Sequence, residues 1–205
     1  MSQAATIVRT GRKFGQVLEG ARQVFMADGF EGASVDDIAR AAGVSKATLY
    51  SYFPDKRLLF MEVAETECAR MADRALDLID QTQPPRQVLT AAATQLVSFL
   101  LSDFSQRIFR ICVAESDRFP ELARAFYASG PEMGCKRMSE YLCKAIERGE
   151  LKIDDVAMAA EQFSELCKAK LWTRAVFGIQ TEFSQAEIDG VVCHAVDMFM
   201  ARYGV

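Results

Sequence analysis

The prolines constrain this chain more than any other feature. Only five occur in 205 residues, at positions 54, 84, 85, 120 and 131, and the intervals between them are long. Proline stops or kinks a helix and pushes the residue before it toward extended backbone, so wide spacing leaves room for helices to propagate. Strand signals are missing. No Asn-Gly or Asp-Gly turn joins two alternating apolar runs, and Asp28-Gly29 follows a helical repeat instead. The expectation is an all-α chain of about nine helices.

The apolar periodicity places them. Val17, Leu18, Ala21, Val24 and Phe25 follow the i, i+3, i+4, i+7, i+8 pattern of one buried face, and Gly29 supplies a stop. Ser34 can cap a second helix, with Asp37 three residues on as an acidic variant of the capping box and Val35, Ile38, Ala39 and Ala42 facing inward. Gly43 then gives a tight turn, Val44 plugs its inside, and Ser45 caps a short third helix over residues 46–53 whose inward pair is Leu49 and Phe53. Pro54 ends it. Asp55 can cap a long fourth helix carrying Leu58, Met61, Ala64, Cys68, Met71, Ala75 and Ile79 toward Pro84. Further helices are predicted over about 85–102, 104–117, 120–129, 132–148, 154–177 and 184–203, with a break near Gly130-Pro131.

Half the residues are hydrophobic, enough for a sizeable core, yet charges interrupt every apolar run before it reaches the length of a membrane span. The first fifteen residues lack the apolar segment of a secretory signal. A cytoplasmic protein with no membrane partner is expected. The net charge of −4 hides an asymmetry: residues 1–60 carry 8 Lys/Arg against 6 Asp/Glu, while the remainder carries 16 against 22. A basic head on an acidic body suits a protein whose phosphate contact is confined to one end.

Six cysteines (68, 112, 135, 143, 167 and 193) form no C-x-x-C pair and have one histidine, His194, to assist them. That spacing offers no metal site, and most of the thiols sit where a small hydrophobe would. Glu115/Asp117 and Asp154/Asp155 read as caps or solvated faces, and His194, with no Ser or Cys partner in a nucleophile motif, reads as structural. No enzyme and no cofactor is expected.

The chemistry concentrates in residues 34–53. Two capped helices around the Gly43-Val44 turn have the layout of a helix-turn-helix, whose second helix enters the major groove of DNA. Its first turn presents Lys46, Ala47 and Thr48, none needed for packing: Lys46 can reach guanine O6/N7 or a phosphate, Thr48 can donate or accept, and Ala47 can meet a thymine methyl or admit the backbone. Tyr50 lies on the same face, and its phenol, like that of Tyr52, suits a phosphate oxygen. Lys56 stands where a helix N-terminus also favours phosphate.

Residues 14–60 resemble the TetR-family DNA-binding domain: Phe25, Gly29, Phe30, Ser34, Ile38-Ala39, Ala42-Gly43-Val44-Ser45, Leu49-Tyr50, Tyr52-Phe53 and Lys56-Leu59-Phe60 stand where that family's pattern has them, with Ala47 in a position that is often glycine. The resemblance implies phosphate contacts for Ser34, Ser45, Tyr50 and Lys56, and base reading for Lys46, Ala47 and Thr48. Residues 107–131 resemble the C-terminal domain of the AefR-like branch. The expected organisation is a DNA-binding domain over 1–60 and an effector-binding and dimerisation body over 61–205. In the body, Phe99, Phe104, Ile108, Cys112, Phe126, Met138 and Trp172 are candidates to line an apolar ligand site.

The helices over 154–177 and 184–203 carry two apolar stripes each. Phe163, Cys167 and Leu171 lie beside Leu166, Ala169 and Val176; Val192, Val196 and Phe199 accompany Ile188, Val191 and Ala195. One stripe of each pair is therefore free for a homodimer partner. The expected activity is regulation of transcription, in the sense of repression, by a dimer on inverted-repeat operator DNA that a small molecule releases. The alternative is a DNA-binding protein of the same fold with an architectural or protein-partner role and no small-molecule input.

Overall fold

The computed structural model describes Arg9, residues 11–77 and residues 80–205, the side chains of 71–77 excepted. Regular structure within them is helical: α1 (Phe14–Gly32), α2 (Val35–Ala41), α3 (Lys46–Tyr52), α4 (Lys56–Asp77), α5 (Pro85–Leu101), α6 (Asp103–Glu115), α7 (Pro120–Tyr127), a π turn (Ala128–Glu132), α8 (Met133–Glu147), α9 (Val156–Lys168), α10 (Trp172–Val176) and α11 (Gln185–Tyr203). Among the described residues no single helix is long and apolar enough to cross a membrane. Two compact units result. Of the described residues, one comprises those up to Cys68 together with Arg107–Ser129, the other those of 69–106 together with Gly130–Val205.

In the first unit α1 buries Val17, Ala21, Val24 and Phe25, and α2 packs against it so closely that a Cβ added at Gly20 would lie 2.5 Å from the Ala42 backbone nitrogen. Gly29, at φ 72°, interrupts α1 before its last turn, a backbone conformation that costs glycine least. On either side of it Phe25 and Phe30 meet the Phe60 ring edge to face, at 5.1 and 5.3 Å. Each such buried ring stabilises by about 1.5–3 kcal/mol. The later segment completes this core: Ile108, Cys112 and Leu122 are buried, Phe119 lies 6.0 Å from Phe30, and Arg107 donates to the Met26 carbonyl within α1 at 2.5 Å.

The second unit is a bundle of α5, α8, α9 and α11 around Leu89, Ala93, Val97, Leu142, Ala160, Phe163, Val196 and Phe199. Phe163 and Phe199 meet at 5.3 Å. The chain terminus is tied back by an antiparallel bridge between Leu151 and Gly204, a hydrogen bond from the Lys152 backbone N–H to the Tyr203 carbonyl at 2.8 Å, and one from the Tyr203 hydroxyl to Gln162 Oε1 at 2.7 Å.

Three expectations are corrected. The helix over 154–177 is two helices, because Lys170 takes a left-handed φ of 66° between α9 and α10. The break near Gly130-Pro131 is instead a π turn that carries α7 into α8; its wider i→i+5 pattern accommodates the proline that an α-helix would reject. On α11 both apolar stripes are occupied within the chain, with Val191, Val192, Ala195, Val196 and Phe199 all buried. Exposed apolar surface in this unit includes Met158, Met198, Phe177 and Ile179, the last two each 75% exposed. The side chains of Met71 and Ala75 and the whole of Ile79, assigned from sequence to the inner face of the fourth helix, lie outside the described residues.

Candidate nucleic-acid interface

The helix-turn-helix is built by its caps. Ser34 Oγ accepts from the Asp37 backbone N–H at 3.1 Å and donates to the Asp37 carboxylate at 2.5 Å, so the acid closes on the serine hydroxyl rather than on its backbone. Ser34 and Arg40 hold the Asp37 carboxyl below the usual carboxylate range. Gly43 follows at φ 61°, and the Val44 N–H donates to the Ala39 carbonyl at 3.0 Å. Ser45 Oγ then accepts from the Thr48 N–H at 3.1 Å and lies 2.9 Å from the Thr48 hydroxyl. Leu49 and Phe53 anchor α3 inward, 1% and 0% exposed.

What α3 leaves outside is the candidate surface. Lys46, Ala47 and Tyr50 are exposed and Thr48 is half-buried. The Lys46 ammonium stands 2.7 Å from a carboxylate oxygen of Asp36 on α2, and that hydrogen-bonded contact pushes its pKa up. The two tyrosines separate. Tyr50 is 47% exposed, whereas Tyr52 packs edge-on against Phe14 at 5.9 Å and its hydroxyl crowds Gly11, where a Cβ would sit 2.4 Å away. Ser34, Ser45, Lys46, Ala47, Thr48 and Tyr50 thus gather around one helix-turn-helix.

Lys56 has a structural task that its sequence position did not reveal. Its ammonium donates to the carbonyls of Phe30 at 2.7 Å and Ala33 at 3.1 Å and sits 4.6 Å over the Phe30 ring. The N-terminus of α4 is meanwhile capped by the Asp55 carboxylate, which accepts from the Leu58 N–H at 3.0 Å. An acid there offsets the positive helix end on which the phosphate argument for Lys56 relied.

Two further features had no signal in the sequence. One is the pairing of Asp36 with Lys46. The other is Arg9, which grips Glu62 of α4 through Nε at 2.9 Å and Nη2 at 2.8 Å. Glu62 is a carboxylate only 6% exposed, and a paired guanidinium is what such a group requires.

The ligand-site candidates divide between the units. Ile108 and Cys112, both buried, and Phe126, half-buried, belong to the first; Phe99, Phe104, Met138 and Trp172, all half-buried, belong to the second. Burial pushes the Cys112 thiol up to about 12 and the Cys68 thiol up to about 11, so both behave as small hydrophobes at neutral pH. His194 is exposed on α11, and Asp155 caps α9 by accepting from the Met158 N–H at 3.0 Å.

Comparison with known proteins covers both ends of the chain. Residues 17–63 match the family described as bacterial regulatory proteins, tetR family, and residues 87–205 match the AefR-like transcriptional repressor, C-terminal domain. The transcriptional repressor AcnR of Corynebacterium efficiens is 41% identical over 58 residues, 28% of this chain; the match spans about a third, 31%, of AcnR's own length. The flavonoid-responsive regulator FrrA is 35% identical with a TM-score of 0.79, over 95% of this chain and 98% of that one. A chain from Mesorhizobium loti described as a TetR-family regulator superposes with a TM-score of 0.89 at 28% identity, over 97% and 100% of the two chains. Helix-turn-helix and helical body together make this chain a member of the TetR family of transcription regulators.

Proposed function

We propose that the protein is a repressor that binds inverted-repeat operator DNA as a homodimer and is released by a small, largely apolar molecule. The observation that carries the DNA half of this reading is α3. It is a short helix capped by Ser45 and pinned by Leu49 and Phe53, and it turns Lys46, Ala47 and Tyr50 outward. Nothing in the packing of the first unit calls for those side chains. Lys46, Ala47 and Thr48 read bases in this proposal, while Tyr50, Ser34 and Ser45 bind phosphate. Lys56 and Tyr52 contribute mainly by fixing α1 and α3.

Two recognition helices on one dimer ask for two half-sites in inverted repeat. Met158, Met198, Phe177 and Ile179 are exposed apolar residues of the body, and they are the residues offered for pairing between copies. On the ligand, FrrA is a flavonoid-responsive protein by its name, and it is similar to this chain along nearly its whole length. A planar aromatic effector of that kind suits Phe99, Phe104 and Trp172 of the second unit, with Met138 as further apolar lining. Release requires differential affinity for the DNA-competent arrangement, and a tenfold preference corresponds to about 1.4 kcal/mol.

Site selection from random duplex DNA, followed by titration of the selected site in the presence of a panel of flavones, tests the proposal. The expected result is an inverted repeat whose complex dissociates with at least one flavone. Recovery of no common sequence overturns the reading of α3, and indifference to every apolar ligand overturns release. Sedimentation at micromolar concentration is expected to give a dimer; a monomer that still binds the selected site overturns the dimeric part.

A further inference from the structure

We propose that Asp36 is a specificity-determining residue for DNA, holding Lys46 against the base edges and away from indiscriminate phosphate contact. The inference rests on the reading of α3 as the DNA-contacting helix. A carboxylate on a surface meant for phosphates repels them, so its place there calls for a compensating role. Asp36 is 62% exposed, Lys46 is 51% exposed, and 2.7 Å separates their charged atoms. The helices that carry them pack against each other, and Ile38, Ala39, Ala42 and Leu49 there are buried. The neighbouring acid is not available for this task, since Asp37 is held by Ser34 and by Arg40 at 2.6 Å. Among the described residues Lys46 is the partner of Asp36.

A lysine ammonium has three donors. One can stay on Asp36 while the others reach guanine O6 and N7, so the carboxylate orients the head group without consuming it. On DNA that offers no acceptor at that depth, Lys46 gains a phosphate only by leaving Asp36, and Asp36 then faces the phosphates unneutralised. The pair therefore penalises wrong sequences more than the right one, which is how repulsion contributes to specificity.

The test compares the selected operator with a scrambled duplex of equal length and composition across a salt series. Asp36→Asn is expected to tighten the scrambled duplex about three- to tenfold and to steepen its salt slope by about 0.9, the value of one added phosphate contact. Operator affinity is expected to change less, so the ratio of the two falls, and Asp36→Glu is expected to restore it. In a Lys46→Ala background Asp36→Asn is expected to leave the ratio where it was. An unchanged ratio for Asp36→Asn, a change no larger than that of Glu147→Gln on α8, or a change that persists without Lys46 overturns the inference. If Lys46→Ala weakens operator binding and Asp36→Asn is silent, the inference fails alone. If Lys46→Ala leaves operator binding intact, the reading of α3 fails with it.

Discussion

Tyr50 and Tyr52 are two residues apart and chemically identical, and their surroundings give them different work. Tyr50 is open to solvent and Tyr52 is turned onto Phe14. Tyr50→Phe is expected to weaken operator and scrambled DNA alike by about tenfold, the scale of one hydrogen bond to a charged oxygen. Lys46→Ala is expected to change base preference as well, by about 1–3 kcal/mol at one position. Competition binding against a small library of operator variants distinguishes the two. Asp37 gives a further test. Ser34 and Arg40 stabilise its charged form, so its folded pKa lies below the unfolded one. Its contribution is then complete above the ordinary aspartate value near ~4 and is lost as the pH falls through the folded value. Urea midpoints measured from neutral pH into acid should fall less steeply below ~4 in Asp37→Asn than in the native protein. The roles of the caps at Ser34 and Ser45 and of the turn at Gly43 were legible in the sequence because each acts on backbone within three or four residues. The Lys46–Asp36 pair and the Lys56 contacts to Phe30 and Ala33 were not, because tertiary packing creates them.

At the scale of elements, the sequence located most helices because their caps and prolines are local signals. It missed the break after α9 for the same reason. Lys168, Ala169 and Lys170 contain no glycine or proline, yet Lys170 is left-handed, a conformation that costs an L-residue about 1–2 kcal/mol. Lys170→Gly is expected to raise the unfolding free energy by about 0.5–1 kcal/mol, part of the relief being offset by glycine's freedom in the unfolded chain. Equilibrium urea denaturation measures it. Pro131 misled in the opposite direction. A proline inside a helix predicts a stop, but the π turn keeps Ala128–Glu132 helical. Periodicity likewise identified both apolar stripes of α11 without revealing that α5 and α9 cover them from within the chain.

For the molecule as a whole, the proposed ligand response gives one more test. Phe99→Ala or Trp172→Ala is expected to weaken the response to an effective flavone about tenfold, the loss of one aromatic contact, while operator affinity without ligand stays close to native. Fluorescence anisotropy of a labelled operator with and without the flavone measures both. Equal loss of DNA binding in the absence of ligand would instead make these residues structural. The discontinuous first unit has a practical consequence for anyone who wishes to exchange DNA-binding heads between regulators of this kind. Its core draws Ile108, Cys112 and Leu122 from residues 107–129, far along the chain from α1–α3. A graft cut at residue 60 or 68 transfers α3 but abandons the side chains that complete the core around Phe30. A chimera that imports residues 107–129 along with the head preserves what a simple N-terminal splice would tear open.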